Sequence, residues 1–580
     1  MKSKSIIGAA LAAVVTLGVT TSCEDMFDID SSRVVIEEEH DLNSSADSAY
    51  STIGVLQSLR QIADRYVILG EVRGDLIEIN ENTKTSLRNL SEFNFEDENE
   101  YLKVKDYYAI INNCNYVLAK MDTTISHNNE RVMIDEYAAL VGVRAWTYLQ
   151  LAINHGKVPF YLNPITTVAD SEKDYPQMDV TEIAAVMIPQ LIPYVDYDLP
   201  VFTHRYAYPP LQLVLADYYL WSGDYANACA TYLDFMTTHE DFNYSYGDQT
   251  NRETFRGYMG FDGASLKGSQ RGDQLNISTN NWIAYKSSVN TENLAFIPME
   301  FTSANGIVSE VGSLFVSADK THSLNPSTYL RDLSSKQAYI KATINEKDQT
   351  EDGGYSVISI AGDLRYKYYL SYPIGSDREF QVYDKNASYS VPDGVNIEIT
   401  TPQIVLYRRA ITYLRAAEAL NSWAKETGNR THAVMAFNLM KDAYKVFFPQ
   451  GHVLEKDLRK VFIGVHARGC GDVRLDTTHF ALKPATIAQR FELVDSTVTF
   501  NDSIRFIDEL IIDELAMESA CEGNRFGDLV RFAKRRQAWG EANYQDLLAK
   551  RVASRKGEKN FDDEIYNKLK NEDNWFLPLK

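Results

Sequence analysis

Apolar residues recur every three or four positions over several long stretches, the spacing that lines one face of an α-helix. A first helix is predicted from about Ser44 to Leu59, with Asp41, Asn43 and Ser44 as capping candidates. A second runs from about Glu100 to Met121, its stripe being Tyr107, Ile110, Ile111, Cys114 and Leu118. A third runs from about Glu130 to Asn154 on Tyr137, Val141, Ala145, Tyr148 and Leu149; Gly156 stops it, and Val158-Pro159-Phe160 leaves as an extended segment. A helix pair follows at 209–237. Leu211, Val214, Leu215, Tyr218 and Tyr219 form the outward stripe, Ser222-Gly-Asp-Tyr225 turns the chain, and Ala226, Ala228, Cys229, Tyr232 and Leu233 return. A similar pair is predicted at 403–446, with Tyr407, Ala410, Tyr413, Leu414, Ala417 and Leu420 before Gly428, and Ala433, Ala436, Phe437 and Met440 after it. Between the pairs, about 240–400, Gly, Asn, Ser and Asp dominate around β-like pieces such as Tyr355–Ile360. That segment reads as loops with minor strands, and long irregular insertions on a helical scaffold usually carry function.

The predicted fold class is therefore mainly α: helical hairpins resembling tetratricopeptide repeats, a loop-rich insertion and minor β-strands. The start of the chain is of another kind. Lys2 and Lys4 precede an apolar run from Ile6 to Val19. That run is too short to span a hydrocarbon core of ~30 Å as a helix, and its zones are those of a secretory signal. Cys23 directly follows Thr20-Thr21-Ser22, which resembles a bacterial lipoprotein cleavage site with Cys23 as the lipidated first residue; Thr20 stands where a leucine is usual. The acidic string Glu24, Asp25, Asp28 and Asp30 resembles the surface-export signal of Bacteroidetes lipoproteins. The expected organisation is a signal peptide at 1–22, a tether at 23–40 and one domain at 41–580. Its scaffold covers about 41–240 and 401–580, and the insertion about 240–400.

Composition narrows the function. A net charge of −22 argues against wrapping nucleic acid, which needs a basic surface. Cys114, Cys229, Cys470 and Cys521 are widely spaced with no CxxC, so neither a zinc ribbon nor a disulfide scaffold is expected, and Cys114 and Cys229 read as core residues. The chain holds 36 Tyr, 25 Phe and 6 Trp. Excess tyrosine suits sugar-binding surfaces and equally suits helical repeats with large groove residues.

Several stretches carry a family resemblance. They are Arg144-Ala-Trp-Thr-Tyr148 with Gly156-Lys-Val-Pro159, Leu215–Leu220 with Gly223-Asp-Tyr225, and Arg415-Ala-Ala-Glu418-Ala-Leu420. The most specific is Ile511–Glu518 followed by Glu522-Gly-Asn-Arg525-Phe-Gly-Asp528-Leu-Val-Arg531-Phe532, with Trp575-Phe-Leu-Pro578 closing the chain. With the lipoprotein-like start, the chain resembles the SusD/RagB family of outer-membrane nutrient-binding lipoproteins. The resemblance implies a non-enzymatic helical protein anchored by lipid to the outer membrane. It implies that the protein binds an oligosaccharide, or a peptide in RagB-like members, and acts as a lid on a SusC-like TonB-dependent barrel. Glu518, Glu522 and Arg525 are spaced to share one helix face, extended by Asp528 and Arg531. They are read as a structural ion-pair network joining helices rather than as a glycosidase's acid and base.

Sugar binding needs aromatic platforms and hydroxyl-reading polar groups. Candidates are Trp282 and Tyr285 in the insertion, with Tyr246 and Tyr258 in reserve; Arg73, Asp75, Asn80 and Asn82 after the first helix; Asp41 and Asn43 before it; and Arg365 beside Asp363. No GxSxG, HExxH, Walker A or GxGxxG motif occurs, and the histidines show no metal-ligand spacing. No cofactor is expected. Asp384-Lys-Asn386 begins like a calcium loop but lacks its downstream Gly and Glu, so a structural calcium has no motif behind it.

Overall fold

Ser44 opens the first helix by accepting a hydrogen bond from the Asp47 amide at 3.2 Å, relieving one of the unpaired N–H groups of the first turn. The structure is a computed structural model. It describes residues 44–95, 98–197, 207–238, 293–300, 303–304, 306–315, 321–344, 355–361, 403–441 and 499–580, with Leu42, Tyr366 and short strands between 372 and 398 and between 472 and 494. Helix α1 (Ser45–Glu71) outruns its predicted end at Leu59 by three turns, because Ile62, Ala63, Tyr66, Val67 and Leu69 continue the buried stripe.

After α1 come β1 (Ile77–Ile79), α2 (Lys105–Lys120), α3 (Ile134–His155), α4 (Val180–Leu191), α5 (Leu211–Ser222) and α6 (Tyr225–Thr238). The strands β2 (Asn293–Pro298), β3 (Leu324–Pro326), β4 (Gln337–Ile344), β5 (Tyr355–Ala361) and β6 (Gln403–Arg408) follow. The chain then returns to helices: α7 (Arg409–Thr427), α8 (Arg430–Lys441), α9 (Phe500–Ser519), α10 (Arg525–Ala538), α11 (Asp546–Ala553) and α12 (Asp563–Leu569). Asp179 and Glu182 form a capping box at the start of α4, as Thr499 and Asp502 do at α9. The helices pack in sequence: α1 on α2, α2 on α3, α4 on α5, α5 on α6, α6 on α7, and α7 on both α8 and α9. This is the mainly α, hairpin-built scaffold that the periodicity predicts. Gly156, Gly223 and Gly428 end α3, α5 and α7 at φ +74°, +82° and +68°.

The strands pair locally and antiparallel: β1 with β3, β2 with β6, and β4 with β5. One helix expectation is corrected here. Residues 403–408 are strand β6, not the first turn of the helix, so Tyr407 belongs to a ladder with β2. The run Ile404-Val405-Leu406-Tyr407 is buried throughout, and a short run of that kind fits a covered strand as well as a helix. Cys114, Cys229 and Cys521 are buried free thiols.

A seam of buried charge binds α7, α9 and α10. Glu418 on α7 accepts Arg531 Nε at 2.8 Å and Arg531 Nη2 at 2.7 Å, and also accepts Arg535. Burial alone would raise the Glu418 carboxyl, but Arg531 and Arg535 pull it below its ordinary value. Asp508 on α9 takes Arg535 on one oxygen and Arg536 on the other, at 3.0 and 3.1 Å. Arg531 also donates to Asp528 at 2.8 Å. The ion-pair network read from the sequence is therefore present, but its wiring differs. Glu518, Glu522 and Arg525 do not share a helix, because residues 520–524 break it, with Cys521 and Gly523 at φ +68° and +92°. Arg408 takes both Glu518 (2.6 Å) and Glu522 (2.7 Å), while Arg525 reaches the N-terminal half to pair with Asp75 through two bonds of 2.6 and 2.7 Å.

The 520–524 turn is also where α1 meets the C-terminal block. Glu71 accepts the amides of Cys521 (3.1 Å) and Gly523 (2.8 Å). A Cβ on Gly523 would lie 2.6 Å from the Tyr66 carbonyl oxygen, and one on Gly70 1.8 Å from the Gly523 oxygen. The tail closes the same junction: Trp575 is fully buried, and Leu577 N donates to Asn154 O at 2.9 Å.

Three outcomes follow from this packing. Gly523→Ala meets both a left-handed φ and a backbone clash, and should cost about 3 kcal/mol or more. Gly428→Ala has nothing within 4 Å of the added methyl and should cost only roughly 1–2 kcal/mol. Equal losses in thermal unfolding followed by circular dichroism would refute the close-approach account. Glu418→Gln leaves Arg531 and Arg535 without their shared counter-charge and should cost about 3–5 kcal/mol in denaturant unfolding, against a negligible loss if the seam were dispensable. Asp513, partly exposed on α9, has its carboxyl pushed up to about 6 by burial, against the pull of Arg551, with Glu509 adding to the rise. Its ionised form is therefore disfavoured in the fold, and stability falls as pH rises from the unfolded value of 3.8 through about 6. Asp513→Asn should be more stable than wild type at pH 8, the gain vanishing below pH ~4; a gain that grows toward acid would reverse the assignment.

Candidate ligand-binding face

The segment after α1 is fixed from below. Asp75, wholly buried, is clamped by Arg525, and its carbonyl accepts the Ser327 hydroxyl at 2.7 Å. β1 then pairs with β3 in the register Ile77↔Pro326, Glu78↔Asn325 and Ile79↔Leu324. This lifts residues 80–84 to the surface as a loop docked on residues 322–325. Asn80 Nδ2 donates to His322 O at 2.9 Å, Thr83 Oγ1 to Ser323 O at 2.6 Å, and Asn82 Nδ2 to His322 O at 3.4 Å. Asn80 Oδ1 accepts the Asn82 amide at 2.9 Å, and Arg88 holds the Asn80 carbonyl at 2.9 Å. Asn80, Asn82 and Thr83 are each held by another group, which suits a surface that must keep its shape on meeting a ligand.

A polar cluster continues the face. Lys84 Nζ lies 3.2 Å from Glu100 and 3.1 Å from Glu310, and 4.7 Å from the centre of the Tyr101 ring. Tyr101 donates its hydroxyl to Glu310 at 2.6 Å, and burial with that acceptor raises its pKa. For Glu100, burial would raise the carboxyl, but hydrogen bonds from its own amide, Ser86 and Lys84 win and hold it low. Asp64 on α1 accepts Ser309 and the Glu310 amide at 2.8 Å, and Arg60 pairs with Glu300 at 2.9 Å. Burial raises the Asp64 carboxyl despite these bonds. Glu300, Ser309 and Glu310 are thereby tied to α1.

The candidates from the sequence fare differently. Arg73 and Asp75 are buried with no exposed surface. Arg73 donates to Leu69 O, Trp575 O and Asn154 and lies 4.3 Å from the centre of the Phe526 ring. Asp75 belongs to Arg525. Both are corrected from ligand readers to scaffold, since a ligand on the surface reaches neither. Asn82 stands on the exposed loop, with Asn80 beside it. Cys23, Asp41, Asn43, Tyr246, Tyr258, Trp282, Tyr285, Asp363, Arg365, Asp384 and Asn386 lie outside the described residues. Lys84, Glu100, Tyr101 and Glu310 were not anticipated. Tyr101 and Glu310 are 209 positions apart, and no local pattern marks such a pair.

Chemically, the face offers amides, hydroxyls and carboxylates at fixed spacing, the groups that read sugar hydroxyls. Among the described residues no group of three His, Cys, Asp or Glu is arranged to hold a metal ion, and no helix is long and apolar enough to cross a membrane.

Comparison with known proteins bears directly on this scaffold. Residues 481–580, which hold α9–α12 and the tail, match the model of the SusD family. A SusD-like protein of Formosa agariphila is 21% identical over 552 residues, covering 94% of each chain. A SusD homologue of Bacteroides thetaiotaomicron superposes with a TM-score of 0.52 at 14% identity, over 88% of this chain and 94% of that one. A SusD-like carbohydrate binding protein of Bacteroides vulgatus superposes with a TM-score of 0.50 at 15% identity, over 84% and 83%. The structural likenesses carry the fold. Together with the match of residues 481–580 to the SusD family model, they show a chain similar to SusD-like proteins in fold and in its C-terminal block.

Proposed function

We propose that this protein is a cell-surface lipoprotein, anchored through Cys23, that captures an oligosaccharide and delivers it to a SusC-like TonB-dependent barrel, over which it closes as a lid. The observation that carries the reading is the similarity to a SusD-like relative along nearly the whole chain. A solved neighbour of the same fold is described as carbohydrate binding, which supports a sugar as ligand. The positive start, short apolar run and acidic string around Cys23 support surface anchoring by lipid. Residues 23–40 serve as the tether and 41–580 as the binding domain. The ligand meets the face of residues 80–84, 306–315 and 321–325; Trp282 and Tyr285 supply stacking surfaces, with Asn82 reading hydroxyls. Arg365 is a further hydroxyl reader in the insertion, while Asp41 and Asn43 contribute at the entrance to α1.

Calorimetric titration of the full-length, detergent-solubilised protein tests this. Neutral and acidic polysaccharides and mixed peptides form the panel. Heat from a glycan, weakened about thirtyfold or more in Trp282→Ala, is the expected outcome, as for loss of a stacking hot spot worth ~2 kcal/mol. Heat from peptides alone would replace the sugar with a peptide on the same scaffold.

A further inference from the structure

The last residues of the chain cross the end of α3 as a strap. Trp575 anchors them: it is fully buried, and its indole N–H donates to Leu569 O at 2.8 Å. Beyond it, Leu577 N donates to Asn154 O, and the Lys580 carbonyl accepts Val104 N, both at 2.9 Å. The Pro578 carbonyl meets His155 Nδ1 at 3.1 Å. Phe576 lies against Gly156, where an added Cβ would fall 2.9 Å from its ring. These contacts cover His155, the last residue of α3, which is 5% exposed. A carbonyl only accepts, so the proton of the neutral imidazole sits on Nδ1 and Nε2 keeps a bare lone pair. Nε2 is buried and meets no hydrogen-bonding group among the described residues. The charge facing the ring is positive. Arg73, wholly buried, donates to Leu69 O, Trp575 O and Asn154 Oδ1, all neutral oxygens, and no carboxylate pairs with it among the described residues. Arg65 of α1 is a second cation, shared with Asp106 of α2. Tyr107 of α2, close to both arginines, keeps a neutral hydroxyl because it is buried, and α10 brings the uncharged Phe526 ring against Arg73. A proton on Nε2 would be another buried positive charge beside Arg73. Burial first, and then Arg73, hold the imidazole down to about 3 against an ordinary 6.5.

We infer that residues 576–580 are an acid-released strap: a proton taken up by His155 lifts them off α2 and α3 while Trp575 stays seated and the helices stay folded. The strap gives way first because it is the end of the chain, held by a few main-chain bonds, whereas α1, α2 and α3 are long helices packed on one another. The closed state resists the proton, and the open, hydrated state accepts it near 6.5. The stability of the strap is therefore whole above that pH and declines as pH falls toward about 3.

Hydrogen exchange of the full-length protein tests this, read by mass spectrometry on the C-terminal peptic peptide and on peptides of α7 and α10. Between pH ~7.5 and ~5, after correction for intrinsic rates, opening of 576–580 should rise about thirtyfold while the helix peptides stay protected. That window lies above the ordinary carboxylate range, so the buried ion pairs of α7 and α10 keep their charges. His155→Asn places a donor near the Nδ1 position and takes up no proton, so its strap should close as in wild type at neutral pH and show no acid dependence. Exchange at the C2 carbon of His155 in the wild type, read by the same instrument, needs no variant and should report titration well below 6.5. An ordinary titration near 6.5 would overturn the inference. So would a wild-type strap indifferent to pH, helices that open in step with it, or a folded His155→Asn protein with the wild-type acid dependence.

Discussion

The structure depends on guanidinium groups held by carboxylates where water is absent. Moving an ion from water into a protein interior costs several kcal/mol even after relaxation, so a buried charge persists only where its partners repay that cost almost completely. Glu418 meets this demand with Arg531 across both oxygens and Arg535 on one, and Asp508 meets it with Arg535 and Arg536. Arg408 is satisfied by Glu518, Glu522 and a main-chain carbonyl at 2.6 Å. Such a seam adds little net stability over apolar packing of the same shape. What it imposes is register: α7, α9 and α10 can slide past one another only by stranding several charges at once.

The same demand couples the two ends of the chain. Arg525 is completed by Asp75, 450 positions earlier, and the turn before it is capped by Glu71. Fixing Asp75 fixes the start of β1, and β1 with β3 presents residues 80–84. The surface loop is therefore positioned by a signature that lies in the C-terminal hundred residues.

Much of this architecture was legible in the sequence, for definite reasons. The helices read at 44–59, 100–121, 130–154, 209–237 and after 408 stand close to where they were expected, the first running on to Glu71, whereas α4 (Val180–Leu191) was not read at all; Gly156, Gly223 and Gly428 marked helix ends because L-residues resist the left-handed turn. Expectations failed where a local pattern had two readings. A four-residue apolar run at 404–407 fits strand or helix, and pairing with β2 decides it. Glu518, Glu522 and Arg525 have perfect helical spacing, yet Gly523 permits the chain to turn against α1 instead. The site was the least legible part. Arg73, Asp75 and Asn82 look alike in a list of polar residues, and what separates scaffold from surface is the presence of Arg525 and Trp575 nearly the whole chain away.

The tyrosine excess shows how composition can mislead when geometry is missing. It was compatible with sugar platforms, but among the described residues many rings fill the grooves between helices. Tyr107, Tyr148, Tyr208, Tyr218 and Tyr232 are among the largest fully buried side chains. Their hydroxyls often end on main-chain or carboxylate acceptors: Tyr218 on Ala145 O at 2.7 Å, Tyr148 on Tyr161 O at 2.7 Å, Tyr108 on Pro159 O at 2.9 Å, and both Tyr232 and Tyr407 on Asp217. A phenylalanine would fill the volume and forgo these bonds, so tyrosine closes a wide groove while its hydroxyl keeps a polar partner. Among the described residues the tyrosines thus serve largely the scaffold, and recognition has to be argued from particular groups rather than from a count of rings.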